Sequence, residues 1–353
     1  MNLRWLLKYR NGIYGFSALI VVLYHVWVWV WTDTDSPAAF DVLNHFLTAH
    51  PVVDIFLFLS GVCLSLSMKK REDRGEIINH KAYLIRRMVR LGLPYLMITV
   101  PYLAWKCFVE VPEKTVARSF LKFFGDASSA TFWVKGTQTT WFVFAIALFY
   151  ILFPFIYKVI RKRNVGLTVL LFLAALLIAV LSILIPGWRN SAIAWSRLPI
   201  FVLGCLCGYE IDSIRFPKNK AVTGLIIAGA WAIYVGVCLI YSLHSFIWIK
   251  GFRWMIYGAF VPVILICFAT LLRYGGVVMR GVDRVFGWIG AISLELYLVH
   301  VPILHVLRYM GVLEDLGGWN YILVPVISMP IAFLISWICG KITQKMFKKS
   351  KGC

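Results

Sequence analysis

Acidic residues are scarce in this chain, which has 16 Asp and Glu against 36 Lys and Arg and a net charge of +20 at pH 7. Long polar stretches are also missing. Hydrophobic residues make up 61% of the chain and its mean hydropathy is +0.80, whereas soluble domains are about 45–50% apolar. The sequence therefore excludes a soluble enzyme and predicts an all-α integral membrane protein.

Apolar stretches of about 17–25 residues, long enough to cross a bilayer as a helix, occur ten times in the sequence. They lie at 13–31, 51–68, 91–109, 141–157, 167–185, 195–211, 221–243, 252–272, 286–307 and 320–340. No extramembrane stretch is long enough for a soluble domain, and no inverted repeat typical of secondary transporters is evident. We therefore expect one transmembrane domain over 1–353, with about ten helices.

Lysine and arginine concentrate in alternate loops, with 26 on one side of the predicted bundle and eight on the other, while Lys106 and Arg253 lie within spans. The positive-inside rule then predicts that both termini are cytoplasmic. Because the basic groups lie at membrane boundaries, where they meet lipid headgroups, we expect the bilayer as a partner and no nucleic acid.

The sequence shows neither a signal-peptide cleavage site nor a metal-binding cysteine pattern. The first apolar segment lacks a small-residue cleavage site, so it is expected to remain as a helix. Cys205 and Cys207 have no second cysteine pair to complete a metal site, and they are interpreted as small packing residues. We expect no metal cofactor.

Four ionisable side chains from three predicted spans lie at similar depths. At 1.5 Å per residue, His25 lies roughly 18 Å along its helix from the cytoplasmic side. Asp54 lies at about the same level, His300 in the outer half of the membrane and Glu295 near the midplane. These groups form either a cavity open to the outside, in which a carboxylate orients an imidazole, or polar pairs that hold helices together. Depth alone does not decide which acid would pair with which histidine.

A basic motif precedes the third span, with Arg86, Arg87 and Arg90 in close succession. Positions 87 and 90 share a helix face, so their guanidinium groups could bind a phosphorylated ligand from the cytoplasm. Plain anchoring at the inner membrane surface is the simpler interpretation of the spacing.

Six blocks of residues follow one another along the chain. They are Asn11–His25, Asp54–Gly61, Arg87–Arg90 with Pro94 and Tyr95, Trp141 and Phe142 with Tyr150 and Pro154, Leu198–Gly204, and Gly290–His300. In order and spacing these blocks resemble those of the membrane-bound acyltransferase 3 family. The resemblance implies an enzyme of the bacterial inner membrane with ten helices. It would move an acetyl or other short acyl group from cytoplasmic acyl-coenzyme A to a hydroxyl of a sugar, often lipid-linked or part of an envelope polysaccharide.

The resemblance also implies roles for single residues. His25 matches the essential histidine of the family, Arg87 and Arg90 match a pair thought to serve the donor, and Tyr297 and His300 match a block near the C-terminus. The chain departs from the pattern before the histidine, where members usually carry an acid and an arginine. This chain has Asn11 in place of the acid and Tyr14 in place of the arginine. Arg10, one helical turn earlier, is a candidate to reach the same place.

In the predicted mechanism the donor phosphates bind at the inner face and His25 meets the acyl group. His25 acts either as general base on an acceptor hydroxyl or as an acyl carrier. Asp54 or Glu295 would orient an imidazole, and Trp141 either stacks on a sugar or belongs to the interfacial aromatic belt.

Two other functions remain open from the sequence. Ionisable groups within ten helices are also typical of a proton-coupled transporter or a lipid flippase. The tyrosine at position 14 is compatible with a catalytically silent relative. The segment 110–140 is either a lid or a passive connector.

Overall fold

The computed structural model describes residues 3–31, 51–110, 113–136, 139–215, 220–243 and 247–348, and every regular element in these ranges is helical. The longer helices are α1 (Arg10–Trp31), α2 (Pro51–Glu72), α3 (His80–Pro94), α4 (Val116–Ala127), α5 (Trp141–Ile160), α6 (Val165–Leu184), α7 (Leu198–Tyr209), α8 (Lys220–Leu243), α9 (Ile247–Ala259), α10 (Val261–Tyr274), α11 (Gly276–Ala291), α12 (Ser293–Tyr309) and α13 (Asn320–Lys348). The shorter ones are Leu3–Tyr9, Val100–Trp105, Ala130–Lys135, Pro186–Arg189, Ala192–Trp195, Val312–Leu316 and Gly317–Trp319, with π-helical turns at Tyr95–Thr99 and Lys106–Glu110.

Seven helical segments of the described residues are long and apolar enough to cross a membrane, or eight if the bent pair α11 and α12 forms one span. The seven are Arg4–Val30, Val52–Glu72, His80–Glu110, Trp141–Ile160, Val165–Leu184, Ala192–Tyr209 and Val312–Phe347. The all-helical, multi-pass membrane class is therefore confirmed. The count of about ten spans and the cytoplasmic position of both termini stay predictions.

The predicted span 252–272 is divided in the structure. Helix α9 ends at Ala259, Phe260 caps the next helix, and Pro262 lies in the first turn of α10. Proline fits there because the first turn of a helix does not use its own N–H groups. Hydropathy detects the apolar composition of 252–272 but not this interruption.

The chain divides into two compact units. The first holds the described residues of Met1–Ser17, Thr48–His80 and Leu148–Ala291. The second holds those of Ala18–Leu47, Lys81–Ala147 and Ile292–Cys353. The two units are described separately below.

Glycines bring α2 and α7 of the first unit into close contact. A Cβ atom on Gly204 would overlap the backbone of Phe58, and one on Gly208 would overlap the backbone of Val62. A Cβ on Gly61 would in turn overlap the backbone of Phe201. Small residues at such crossings let helix backbones approach where lipid supplies no hydrophobic driving force.

A second glycine crossing holds the start of α1 against α11 in the same unit. A Cβ on Gly15 would overlap the carbonyl of Phe286, and one on Gly290 would overlap the carbonyl of Asn11. The glycines of the first and last sequence blocks therefore have a packing reason in this protein.

The second unit is built around α12, which packs on α13 and on the π-helical turn Tyr95–Thr99. Tyr95, Ile98, Val143, Leu298 and Val299 form a buried apolar cluster there. The hydroxyl of Tyr95 donates to the carbonyl of Ala127 at 3.0 Å. This bond ties the third helical segment to the end of α4, within the segment that the sequence predicts as a lid or connector.

We expect Gly204→Ala to lower the free energy of unfolding by about 1–3 kcal/mol, because the added methyl group has no space at the α2–α7 crossing. The matched control is Gly224→Ala on α8, where a Cβ meets nothing within 4 Å. The control should be neutral or stabilising by up to about 1 kcal/mol, because alanine favours helix. Thermal melting of the purified protein measures both variants, and equal midpoints would contradict the crossing.

Candidate functional site

Two of the predicted site residues, His25 and His300, lie side by side in the second unit. Their ring centroids are 4.8 Å apart and the ring planes are inclined by 61°. His25 on α1 is partly exposed, whereas His300 on α12 is fully buried. Of the pair, only His25 is therefore open to a reacting molecule.

Both imidazoles make the same backbone contact. Nδ1 of His25 lies 2.8 Å from the carbonyl oxygen of Val21, and Nδ1 of His300 lies 3.1 Å from that of Leu296. A carbonyl oxygen only accepts hydrogen bonds, so each Nδ1 carries the proton and the lone pair of a neutral ring is at Nε2. Nε2 of His300 is buried without a hydrogen-bond partner among the described residues. The pair thus offers two proton-accepting nitrogens.

Tyr297 lies beside this pair, one helical turn before His300. Its ring centroid is 5.8 Å from that of His300 and 5.3 Å from that of Phe142. Its hydroxyl donates to the carbonyl of Thr139 at 2.7 Å, immediately before α5. Trp141 packs edge-on against Phe142 at 6.1 Å. Tyr297 therefore lies against His300, and Trp141 contacts the same phenylalanine, Phe142, as Tyr297 does. Stacking of Trp141 on a sugar stays a prediction.

Glu295 lies in the first turn of α12 and is almost fully buried, at 9% exposure. Its carboxylate hydrogen-bonds the hydroxyl of Ser336 on α13 and interacts electrostatically with Arg90. Glu295 is therefore placed to hold the Arg90 guanidinium at the end of α3. Carbonyl groups already accept from Nδ1 of both histidines, and Nε2 of a neutral ring carries a lone pair, so the assigned tautomers leave no N–H group for a carboxylate. The orienting role of Glu295 stays a prediction.

The other two arginines of the basic motif lie over aromatic rings. The guanidinium of Arg87 is 5.9 Å from the ring centroid of Tyr83, and that of Arg86 is 5.7 Å from that of Phe347. Such contacts hold an arginine head without consuming all of its donors. Binding of a donor by these residues stays a prediction.

Asp54 of the first unit is paired with Arg197. Arg197 Nε lies 2.9 Å from Asp54 Oδ1, and the two side chains are 2% and 0% exposed. Arg197 also donates from Nη1 to the carbonyl of Ile193 at 2.6 Å, and its guanidinium lies 5.3 Å from the ring centroid of Trp254. This ion pair joins the start of α2 to the residue that caps α7.

Sequence reasoning missed Arg197. The charge count assigns it to an outer loop, although it lies within the predicted span 195–211. An arginine inside a span calls for an acidic partner, because the burial of a lone guanidinium is costly. That signal was present in the sequence, and Asp54 is the partner that the structure supplies.

Tyr14 of the first unit stacks on Phe56, with parallel rings 5.2 Å apart, and its hydroxyl hydrogen-bonds Ser60. Arg10 lies within electrostatic range of Tyr14, and its Nη1 is 3.6 Å from the sulfur of Cys63. A positive charge is therefore present near position 14 although that residue is a tyrosine.

We expect Arg197→Met alone to destabilise the protein by about 3–5 kcal/mol, because it leaves the Asp54 carboxylate buried without its partner. The double variant Asp54→Leu with Arg197→Met should recover most of this loss, since no buried charge remains. Arg189→Met, at an exposed arginine eight residues earlier, is the control and should have little effect. Unfolding in detergent measures all of these variants, and a double variant as unstable as the single one would contradict the pairing.

Among the comparisons with known proteins, only the one with protein families gives a match. No curated protein and no solved structure matches the chain. A family model described as an acyltransferase domain matches residues 8–341, nearly the whole chain, and covers every candidate site residue above. The resemblance seen in the six sequence blocks is thereby confirmed. This multi-pass membrane protein belongs to the acyltransferase 3 family.

Proposed function

We propose that the protein is an O-acyltransferase of the bacterial inner membrane. It moves an acetyl or other short acyl group from cytoplasmic acyl-coenzyme A to a hydroxyl of an envelope sugar or a lipid-linked glycan, as in polysaccharide O-acetylation. Membership of the family supports acyl transfer. The observation that carries the choice of site is the contact between His25 and His300, with Nδ1 of each ring held by a carbonyl.

His25 is the reacting residue in this proposal, because it is the accessible member of the pair. As general base, its Nε2 takes the proton of the acceptor hydroxyl while that oxygen attacks the thioester carbonyl. The carbon–sulfur bond then breaks, and coenzyme A leaves as a thiolate that takes up a proton. As acyl carrier, Nε2 itself attacks the thioester and the carbon–sulfur bond breaks, which releases coenzyme A as a thiolate that takes up a proton. The acceptor hydroxyl then attacks the acyl group, the carbon–nitrogen bond breaks, and the hydroxyl proton passes to the freed Nε2. His300 acts as a positioning residue in both routes.

The donor is proposed to bind through its phosphate groups to Arg87 and Arg90 of the second unit, with Arg86 as a further cationic contact there. Glu295 supports this assignment because its carboxylate interacts electrostatically with Arg90. A donor role for Arg10 of the first unit stays a sequence prediction. Asp54 acts through Arg197 on the position of α2 and α7. Tyr297 and Trp141 of the second unit are the proposed substrate contacts, while a substrate contact at Tyr14 of the first unit stays a sequence prediction.

His25→Ala should reduce acyl transfer at least about 100-fold, because a positioned base or nucleophile contributes that much or more. The control is His80→Ala, at an exposed histidine that begins α3. The measurement follows coenzyme A released from acetyl-coenzyme A by purified protein in the presence of an extract of envelope glycolipids. Full activity of His25→Ala in this assay would contradict the proposed site.

Arg90→Gln should raise the KM for acetyl-coenzyme A about tenfold or more and leave kcat nearly unchanged, because a charge-assisted bond to phosphate is lost in ground and transition state alike. Arg74→Gln is the matched control, since Arg74 is paired with Glu76 at the surface. A change in the acceptor KM without any change in the donor KM would assign Arg90 to the other substrate.

Transport is the alternative function, and it can be tested with the same purified protein. Movement of a solute into proteoliposomes without consumption of acetyl-coenzyme A would indicate a proton-coupled carrier or flippase. Absence of both activities, with envelope acylation unchanged in a cell carrying His25→Ala, would indicate a catalytically silent relative.

A further inference from the structure

A second pair of rings lies one helical turn beyond the histidine pair, on the same two helices of the second unit. Trp29 follows His25 by four residues on α1, and His305 follows His300 by five residues on α12. The ring centroids of Trp29 and His305 are 4.3 Å apart. Along α1 the two layers are separated by about 6 Å.

The layer formed by Trp29 and His305 also contains the carboxylate of Glu110, one oxygen of which has no hydrogen-bond donor among the described residues. Oε1 of Glu110, which ends the π-helical turn Lys106–Glu110, lies 3.4 Å from Nδ1 of His305. Oε2 of Glu110 is buried and has no hydrogen-bond partner among the described residues. Leaving a carboxylate oxygen out of water without a donor is costly, so a donor group from a bound molecule would stabilise this arrangement.

Aromatic rings and a cation complete the layer. The ring centroid of Tyr102 is 5.3 Å from that of His305, and the guanidinium of Arg308 is 5.6 Å from the ring centroid of Trp29. The side chains of His305 and Glu110 are 13% and 17% exposed, so the layer is reachable and not sealed. Together these residues combine apolar faces with an acceptor and a cationic donor.

We propose that Trp29, Tyr102, Glu110, His305 and Arg308 form the acceptor subsite, which binds one neutral sugar ring. This assignment rests on the proposed function and names where its acceptor binds. A sugar ring presents hydroxyl donors to Glu110 and apolar C–H faces to aromatic side chains. A ring held here has a hydroxyl one helical turn from His25, which is the group that acyl transfer needs.

The test is direct sugar binding by the full chain in lipid nanodiscs, since detergents with sugar headgroups would compete. Saturation-transfer difference NMR is recorded with methyl glycosides of glucose, galactose, mannose and N-acetylglucosamine as probes. At least one glycoside should bind, and Glu110→Gln should weaken that binding about tenfold or more because it removes the charged acceptor. Glu113→Gln is the matched control, because Glu113 is paired with Lys122 at 3.4 Å and partly exposed.

Further variants separate this inference from the proposed function. His25→Ala should abolish transfer and retain glycoside binding, so loss of one property identifies which proposal fails. If Glu110→Gln does not fold, His305→Gln carries the same expectation. The subsite is overturned if no glycoside binds the wild type, or if the folded variants bind as tightly as the wild type. An altered pH profile of transfer with unchanged glycoside binding would make Glu110 and His305 a proton relay and would also overturn it.

Discussion

The cost of removing ionisable groups from water is the constraint on which the rest of this structure depends. A charged or polar side chain within hydrocarbon needs a partner, and most of the ones described here have one. Asp54 has Arg197, Glu295 has Ser336 and Arg90, and Nδ1 of each histidine has a carbonyl oxygen. Against this background, a buried imidazole nitrogen or carboxylate oxygen that has neither a hydrogen bond nor an ion pair is a candidate contact for a bound molecule.

Among the buried side-chain atoms of the second unit that have no hydrogen-bond partner in the described part of the chain are an imidazole nitrogen, Nε2 of His300, and a carboxylate oxygen, Oε2 of Glu110. Each belongs to a side chain that contacts its neighbour through its other polar atom or its ring. The layer of His25 and His300 and the layer of His305 and Glu110 therefore have the same arrangement. In each, one polar atom of a side chain makes a contact that holds it, and the other polar atom remains able to bind a proton or a hydroxyl group. Glycines have a different role in the first unit, where they let helices cross closely enough for the Asp54–Arg197 pair to form in a dry environment.

The sequence predicts the class and the family well, because these depend on composition and on blocks that are local in the chain. It also places His25 and His300 at similar depths, but it does not predict the contact of their rings or the position of Tyr297 beside them. It predicts Arg197 poorly, since a count of charges by loop hides a cation that lies just inside a span. It does not predict the layer of Trp29, Glu110 and His305 at all. That layer depends on three helices whose rotation about their axes is set by packing, and no spacing within one segment reveals it. Likewise, the break at Phe260 is not visible in hydropathy, because both sides of it are equally apolar.

The tyrosine at position 14 is better understood as a replacement within a packed group than as the loss of a function. Its ring lies flat against Phe56 and its hydroxyl reaches Ser60, so an arginine there would have to give up this stacking or displace it. The charge that an arginine would bring is supplied by Arg10, one turn earlier, which is already in electrostatic contact with the tyrosine. A positive group at this end of α1 is therefore retained, and a phosphorylated donor would still meet one. Since the cation now comes from a different backbone position, we expect the change to affect the geometry of the proposed donor binding more than the presence of charge.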